Sequence, residues 1–373
     1  MRVPLIDPVK AIAAQLIVWH HMMLYSSMRG PLEEAFPTVV GFLANEAKYV
    51  VQVFLTIGGF LAAQSFEKYL TGSHALPAKA FTSLSFIESL ANRYTRLVKP
   101  FGLAMLIAAL TIGLTLKIAP ATDLDPVHWR QFLAHLFLLH DVFGFDAISA
   151  GAWYVAIDFQ LFLLFGLIVL ISQKIQGVVR VPMLVSATFL TLALTLIALF
   201  NFNLEPEMEI WALYFFGSYG VGIIAHRAVV MKEKALGFAL ILTLIGVANM
   251  IDFRERLWVA AATAVFLLIA PTLQTLPRWM QSRCVVFFNQ SSYPLFLIHY
   301  PAAIVMFAAL NTLELESTEQ FVFAALSCYG LCLIAAKGLM NAVQVYETFE
   351  ATVIANIQSG LSLLAKKVFS GTA

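Results

Sequence analysis

Ten runs of mostly apolar residues, each near the roughly 20 needed to cross a hydrocarbon core about 30 Å thick as a helix, constrain this chain more than anything else in it. They fall at 9–27, 48–66, 97–118, 152–172, 181–200, 209–229, 235–251, 256–273, 293–310 and 320–340. In lipid a chain must satisfy its own backbone hydrogen bonds, so such runs become helices. Only 12% of the 373 residues are charged and mean hydropathy is +0.83, against about 25% charged in soluble domains. The fold class expected is therefore an all-α integral membrane protein of about ten transmembrane helices. An eleventh apolar run, 129–145, contains His135, His140 and Asp141 and reads as a short or re-entrant helix.

Charge placement sets the expected orientation. With the N-terminus in the cytoplasm, the outer connections keep Arg29, Lys48, Lys117, Arg130, Arg254 and Arg256, and the inner ones collect the rest of the 23 Lys and Arg. That bias puts both termini inside. The outer connection with Glu205, Glu207 and Glu209 has no Lys or Arg at all. Residues 1–345 read as one membrane domain and 346–373 as an amphipathic or disordered cytoplasmic tail, with Lys366 and Lys367 able to meet anionic lipid. Arg2, followed by Pro4, Asp7 and Pro8, does not open a signal peptide, so the first span is expected to stay. A net charge of +1 gives no reason to expect nucleic acid, and Cys284, Cys328 and Cys332 lack metal-ligand spacing and read as packing residues.

Against this apolar background, buried ionisable groups are functional candidates by default. Lys10 and His21 are eleven residues apart on the first run, about 20° past three full turns, so they share a face about 16 Å apart. His20 points about 100° away. Asp158, about 9 Å into the fourth run from its outer end, stands at a depth similar to His21 and can orient its imidazole, or it can pair with another buried donor. Trp153 and Gln160 flank it in AWYVAIDFQLF. Arg93 and Arg96, with Lys99, lie just before the third run, where guanidinium forks suit phosphates and where plain topology anchoring is the competing reading. Gly58, Gly59 and Phe60 leave room either for a ligand or for close helix packing. His299, between Pro294 and Pro301, is expected on a broken or kinked helix, either lining the site or holding the structure together. A ligand with phosphates at Lys10 and a reactive group about 16 Å deeper would be long and thin, as coenzyme A is.

Together these pieces resemble the membrane-bound acyltransferase 3 family: Lys10-x10-His21, VFLTIGGFL around Gly58 to Leu61, RYTR at Arg93 to Arg96, AWYVAIDFQLF and SSYPLFLIHYP, in that order. The family carries Arg where this chain has Lys10 and Ser where it has Gly58. The resemblance implies transfer of an acyl group, most often acetyl, from cytoplasmic acyl-coenzyme A to a hydroxyl of a sugar, polysaccharide or lipid-linked glycan, without a metal, in a bacterial inner membrane. It casts His21 as general base with Asp158 orienting it, and Lys10, Arg93 and Arg96 as holders of the coenzyme A phosphates. His20, Gly59, Phe60, Trp153, Gln160 and His299 then line the site. A homo-oligomer is compatible with all of this. The rival reading is a multi-pass transporter or permease that uses the same polar groups as a substrate path.

Overall fold

The computed structural model describes residues 3–70, 81–119, 124–273, 277–310, 312–313 and 315–370. Arg2 lies outside the described residues, as do the side chains of Lys366 and Lys367. Among the described residues there is no strand. Nine helices among the described residues are long and apolar enough to span a membrane, and they follow nine of the ten expected runs. The tenth, α1 (Ile6–Tyr25), is a 20-residue helix in the same bundle. It falls short on apolarity because Asp7, Lys10, Gln15, His20 and His21 are built into it.

Two short helices, α2 (Arg29–Ala35) and α3 (Pro37–Gly41), follow α1 and lead through a π-helical turn (Phe42–Glu46) and a 3-10 turn (Ala47–Val50) into α4 (Val51–Leu70). The next helix, α5 (Ser83–Ile118), begins where Thr82 accepts the Ser85 backbone N–H at 3.2 Å. It runs through Pro100 without a break. The expected start at residue 97 is thus too late by four turns, and Arg93 and Arg96 sit inside the helix. Hydropathy could not show this, because the charge at Arg93 is tolerated only through a partner on another helix.

The eleventh run is a short helix, α6 (Trp129–Leu136), followed two residues later by Leu138 with φ of 59°. Its Leu136 carbonyl accepts the Tyr94 hydroxyl at 2.9 Å, and the Leu138 carbonyl accepts Gln160 Nε2 at 3.4 Å. The segment therefore reaches the middle of α5 and of α7 (Ala152–Val179). Non-helical backbone at such depth must be satisfied by protein. His135 does this, with Nδ1 on the Gln131 carbonyl at 2.8 Å and Nε2 accepting the Ile148 N–H at 3.0 Å.

The remaining helices are α8 (Met183–Phe200), α9 (Ala212–Val230), α10 (Lys234–Ile251), α11 (Glu255–Ile269), α12 (Arg283–Leu310) and α13 (Thr318–Ser370). The innermost is α9, 89% of whose apolar window is buried. Small residues allow it: a Cβ on Gly59 of α4 would lie 1.9 Å from the Tyr219 carbonyl oxygen, and one on Gly222 would lie 1.9 Å from that of Thr56. The two backbones touch, which is what glycine-bearing membrane interfaces permit. Helix α12 passes through Pro294 and Pro301 as one element, so the expected break is absent. It lies against α1 and α13, where Trp19 stacks on Tyr329 at 5.0 Å and the Tyr329 hydroxyl donates to Gln15 at 2.5 Å. Helix α13 continues unbroken past residue 345.

We call the end of the bundle bearing Lys68, Lys174, Arg180, Lys232, Lys234 and Arg283 the basic end, and the opposite end the far end.

Candidate active site

Helix α1 delivers His21 toward the far end, and α12 delivers His299 to meet it. Their rings lie nearly parallel, 7° apart in plane, with His21 Nδ1 and His299 Nε2 separated by 2.8 Å. The proton positions follow from the partners. His299 Nδ1 faces the carbonyl oxygens of Phe296 at 2.9 Å and Leu295 at 3.2 Å, which can only accept, so Nδ1 carries hydrogen. In the neutral ring Nε2 is then an acceptor and takes the hydrogen of His21 Nδ1. The second nitrogen of His21, Nε2, keeps a bare lone pair and has no hydrogen-bond partner among the described residues. A carbonyl–His–His chain thus fixes one imidazole in the tautomer a general base requires.

That imidazole opens onto a cavity of about 610 Å³. His20, Tyr25, Tyr300, Gln52 and Trp153 line it, and Lys48 and Tyr49 before α4, Glu209 before α9 and Arg256 in the first turn of α11 form the wall toward the far end. His20 is pinned by the Leu43 carbonyl, 2.9 Å from its Nδ1. Trp153 packs on Phe215 at 5.5 Å.

The expected pairing of His21 with Asp158 is not formed. Asp158 instead holds Arg93, across from α7 to α5, with side-chain exposures of 6% and 15%. The reason is depth. Asp158 lies beside Gly58 and Tyr219, where a Cβ on Gly58 would be 3.3 Å from Asp158 Oδ1 and 3.2 Å from the Tyr219 ring. His299 is six residues, about 9 Å, further along α12 than Tyr293, which shares the field of Asp158, Arg93 and Arg96. A buried carboxylate at that level needs a cation, and Arg93 supplies it.

Lys10, the half-buried residue at the basic end of α1, lies within electrostatic reach of Arg93, Arg96 and Asp158. Its own nearest carboxylate is Asp7 at 3.9 Å. Arg96 is exposed, whereas Lys99 is ion-paired with Glu350 of α13. The structure thus sorts the expected site residues into three groups. Lys10, Arg93, Arg96 and Asp158 form a charged cluster. His20, His21 and Trp153 line the cavity, with His299 buried behind His21. Gly59 and Phe60 serve packing, Phe60 lying edge-on to His226 at 5.0 Å, and Gln160 donates to the Leu138 carbonyl just after α6. Sequence reasoning missed Tyr25, Tyr300, Lys48, Glu209 and Arg256. Lys48 and Arg256 were visible as two of the few basic residues on the sparsely charged side, and Tyr300 as the neighbour of His299.

A family model for an acyltransferase domain, that of acyltransferase 3, matches residues 4–337 of this chain. No curated protein and no solved structure matches it. The chain belongs to the acyltransferase 3 family and is a multi-pass membrane acyltransferase.

Proposed function

We propose that the protein moves an acyl group, acetyl foremost, from acyl-coenzyme A at the basic end to a hydroxyl of a sugar, polysaccharide or lipid-linked glycan in the far-end cavity. The membrane is a bacterial cell membrane and the basic end faces the cytoplasm, as the charge bias implies. The observation that carries the reading is the bare Nε2 of His21 at the cavity, with its Nδ1 hydrogen already committed to His299.

The acceptor hydroxyl donates to His21 Nε2, which takes the proton as the oxygen attacks the thioester carbonyl. The C–O bond forms, the C–S bond breaks, and the proton passes to the departing thiolate. His299 accepts from the imidazolium through Nε2, and its own Nδ1 hydrogen stays on the Phe296 and Leu295 carbonyls. The charged cluster supports the donor side: Lys10 and the exposed Arg96 face phosphate, and Arg93 stays bound to Asp158 behind them. Asp158 positions Arg93 in this scheme. Eleven residues of α1, about 16 Å, separate the phosphate cations from the base, a span for an extended pantetheine arm. Transport is left without an observation in its favour.

The test uses protein in lipid nanodiscs with radiolabelled acetyl-coenzyme A and a glycan mixture. His21→Ala should abolish transfer and keep the thermal stabilisation given by coenzyme A. Near-normal transfer by that variant would refute the assignment.

A further inference from the structure

The wall of the cavity toward the far end carries a feature that transfer to a plain hydroxyl does not require. Arg256 lines it. Its guanidinium lies 4.8 Å from the Tyr214 ring centroid, and Nη2 reaches the backbone and side-chain oxygens of Asn203 at 3.3 and 3.4 Å. Its Nε is buried without a hydrogen-bond partner, and no carboxylate lies within 4 Å of the guanidinium among the described residues. The neighbouring Arg254 shows what a structural arginine looks like here: three carbonyl contacts, the Asn203 amide oxygen, and Asp252 at 3.4 Å. Lys48 lines the same wall, and among the described residues its ammonium meets only the face of Tyr49, 5.3 Å from the ring centroid. Glu209, exposed in that wall, is ion-paired to neither.

We infer that the acceptor is anionic: an acidic sugar whose carboxylate or phosphate docks on Arg256 and Lys48 while its hydroxyl lies at His21. This rests on the acyl-transfer reading above. A mounted guanidinium with no carboxylate within 4 Å among the described residues, Glu209 standing apart in the same wall and Glu255 bound to the Tyr49 hydroxyl, is stabilised by an anion that arrives with the ligand. Trp153 and Tyr49 give the sugar ring apolar faces to lie on. Acyl transfer proceeds as before: C–S breaks, C–O forms, and the hydroxyl proton leaves through His21 to the thiolate, so the anion is a handle and takes no part in bond making.

The experiment offers nanodisc-embedded protein and acetyl-coenzyme A three matched glycosides: neutral galactose, galacturonate and galactose 6-phosphate. Thiol release and ester formation are both read. The unsubstituted protein should favour one of the acidic glycosides over the neutral one by about tenfold or more in kcat/KM, the scale of one charge-assisted contact. Which acid wins identifies the anion. Arg256→Gln and Lys48→Gln should each raise KM for that glycoside and shrink the preference, Lys48→Arg should retain it, and added salt should weaken it. Lys48→Gln keeps the test open if Arg256→Gln fails to fold. Equal use of neutral and acidic glycosides, or a preference unchanged in both glutamine variants, overturns the inference while leaving acyl transfer standing. Loss of coenzyme A binding and of thiol release in the unsubstituted protein instead overturns the acyl-transfer reading itself.

Discussion

At the residue scale, His299 has a role that its place beside His21 defines. Removing it deprives His21 Nδ1–H of its acceptor and frees the ring to change tautomer. His299→Ala should lower kcat by about 10²-fold or more, the usual scale of general-base effects, with KM for acetyl-coenzyme A little changed; an unaltered kcat would remove His299 from the site. The Arg93–Asp158 pair calls for the opposite test. Breaking a buried pair by removing one partner costs about 3–5 kcal/mol, whereas replacing both by apolar groups is far milder. Arg93→Met should therefore be markedly less heat-stable than the double variant Arg93→Met/Asp158→Leu, as followed by thermal unfolding in detergent. Equal stability of the two would make Arg93 a free phosphate ligand. The sequence singles out Lys10, His21, His299, Arg93 and Asp158 as ionisable residues in or beside apolar runs. It could not say which partner each takes, because helix arithmetic puts Asp158 and His21 at one depth, whereas in the fold Asp158 sits at the level of Gly58, Tyr219 and Arg93 and His21 at the level of His299.

At the element scale, the apolar runs reveal nearly every helix, since length and composition alone require them. What they conceal is how helices touch. Gly59 looked equally suited to ligand room and to packing; the Tyr219 carbonyl 1.9 Å from its missing Cβ decides for packing. Gly59→Ala should prevent α4 and α9 from closing and should lower the yield of folded protein sharply. Gly246→Ala on α10, where nothing lies within 4 Å, should leave it at least as stable. The short segment built on α6 adds a pH dependence. Burial holds His135 at about 4 and, together with the adjacent His135, His140 at about 3. The ordinary value is near 6.5, so the unfolded chain binds protons first as pH falls. Stability from keeping these rings neutral is complete above about pH 6.5 and declines as pH drops toward 4. The melting temperature in nanodiscs should fall over that window, and His140→Leu, which loses no hydrogen bond to protein, should flatten the fall. A melting temperature independent of pH across the window would mean the segment opens to water before the protein unfolds.

At the scale of the whole molecule, the two ends of the bundle are chemically unlike, and the proposed reaction depends on which faces the cytoplasm. Lys10 with Arg96 and the His21 cavity occupy different levels of the same bundle, joined by α1, so in the proposed reaction a donor from the basic end and an acceptor from the far end would not compete for one mouth. Orientation was expected from charge bias alone, and the chain carries its own reporter for it. Cys284 is exposed near the start of α12 at the basic end, whereas Cys328 and Cys332 are buried against α12 within α13. A membrane-impermeant maleimide should therefore leave the protein unlabelled in intact spheroplasts and label Cys284 once the membrane is opened. Placing a cysteine at Lys48 in a Cys284→Ala background should reverse the result, since Lys48 is exposed at the far end. Labelling of Cys284 in intact cells would invert the molecule, bring the His21 cavity to the cytoplasm, and require donor and acceptor to enter from sides opposite to those proposed.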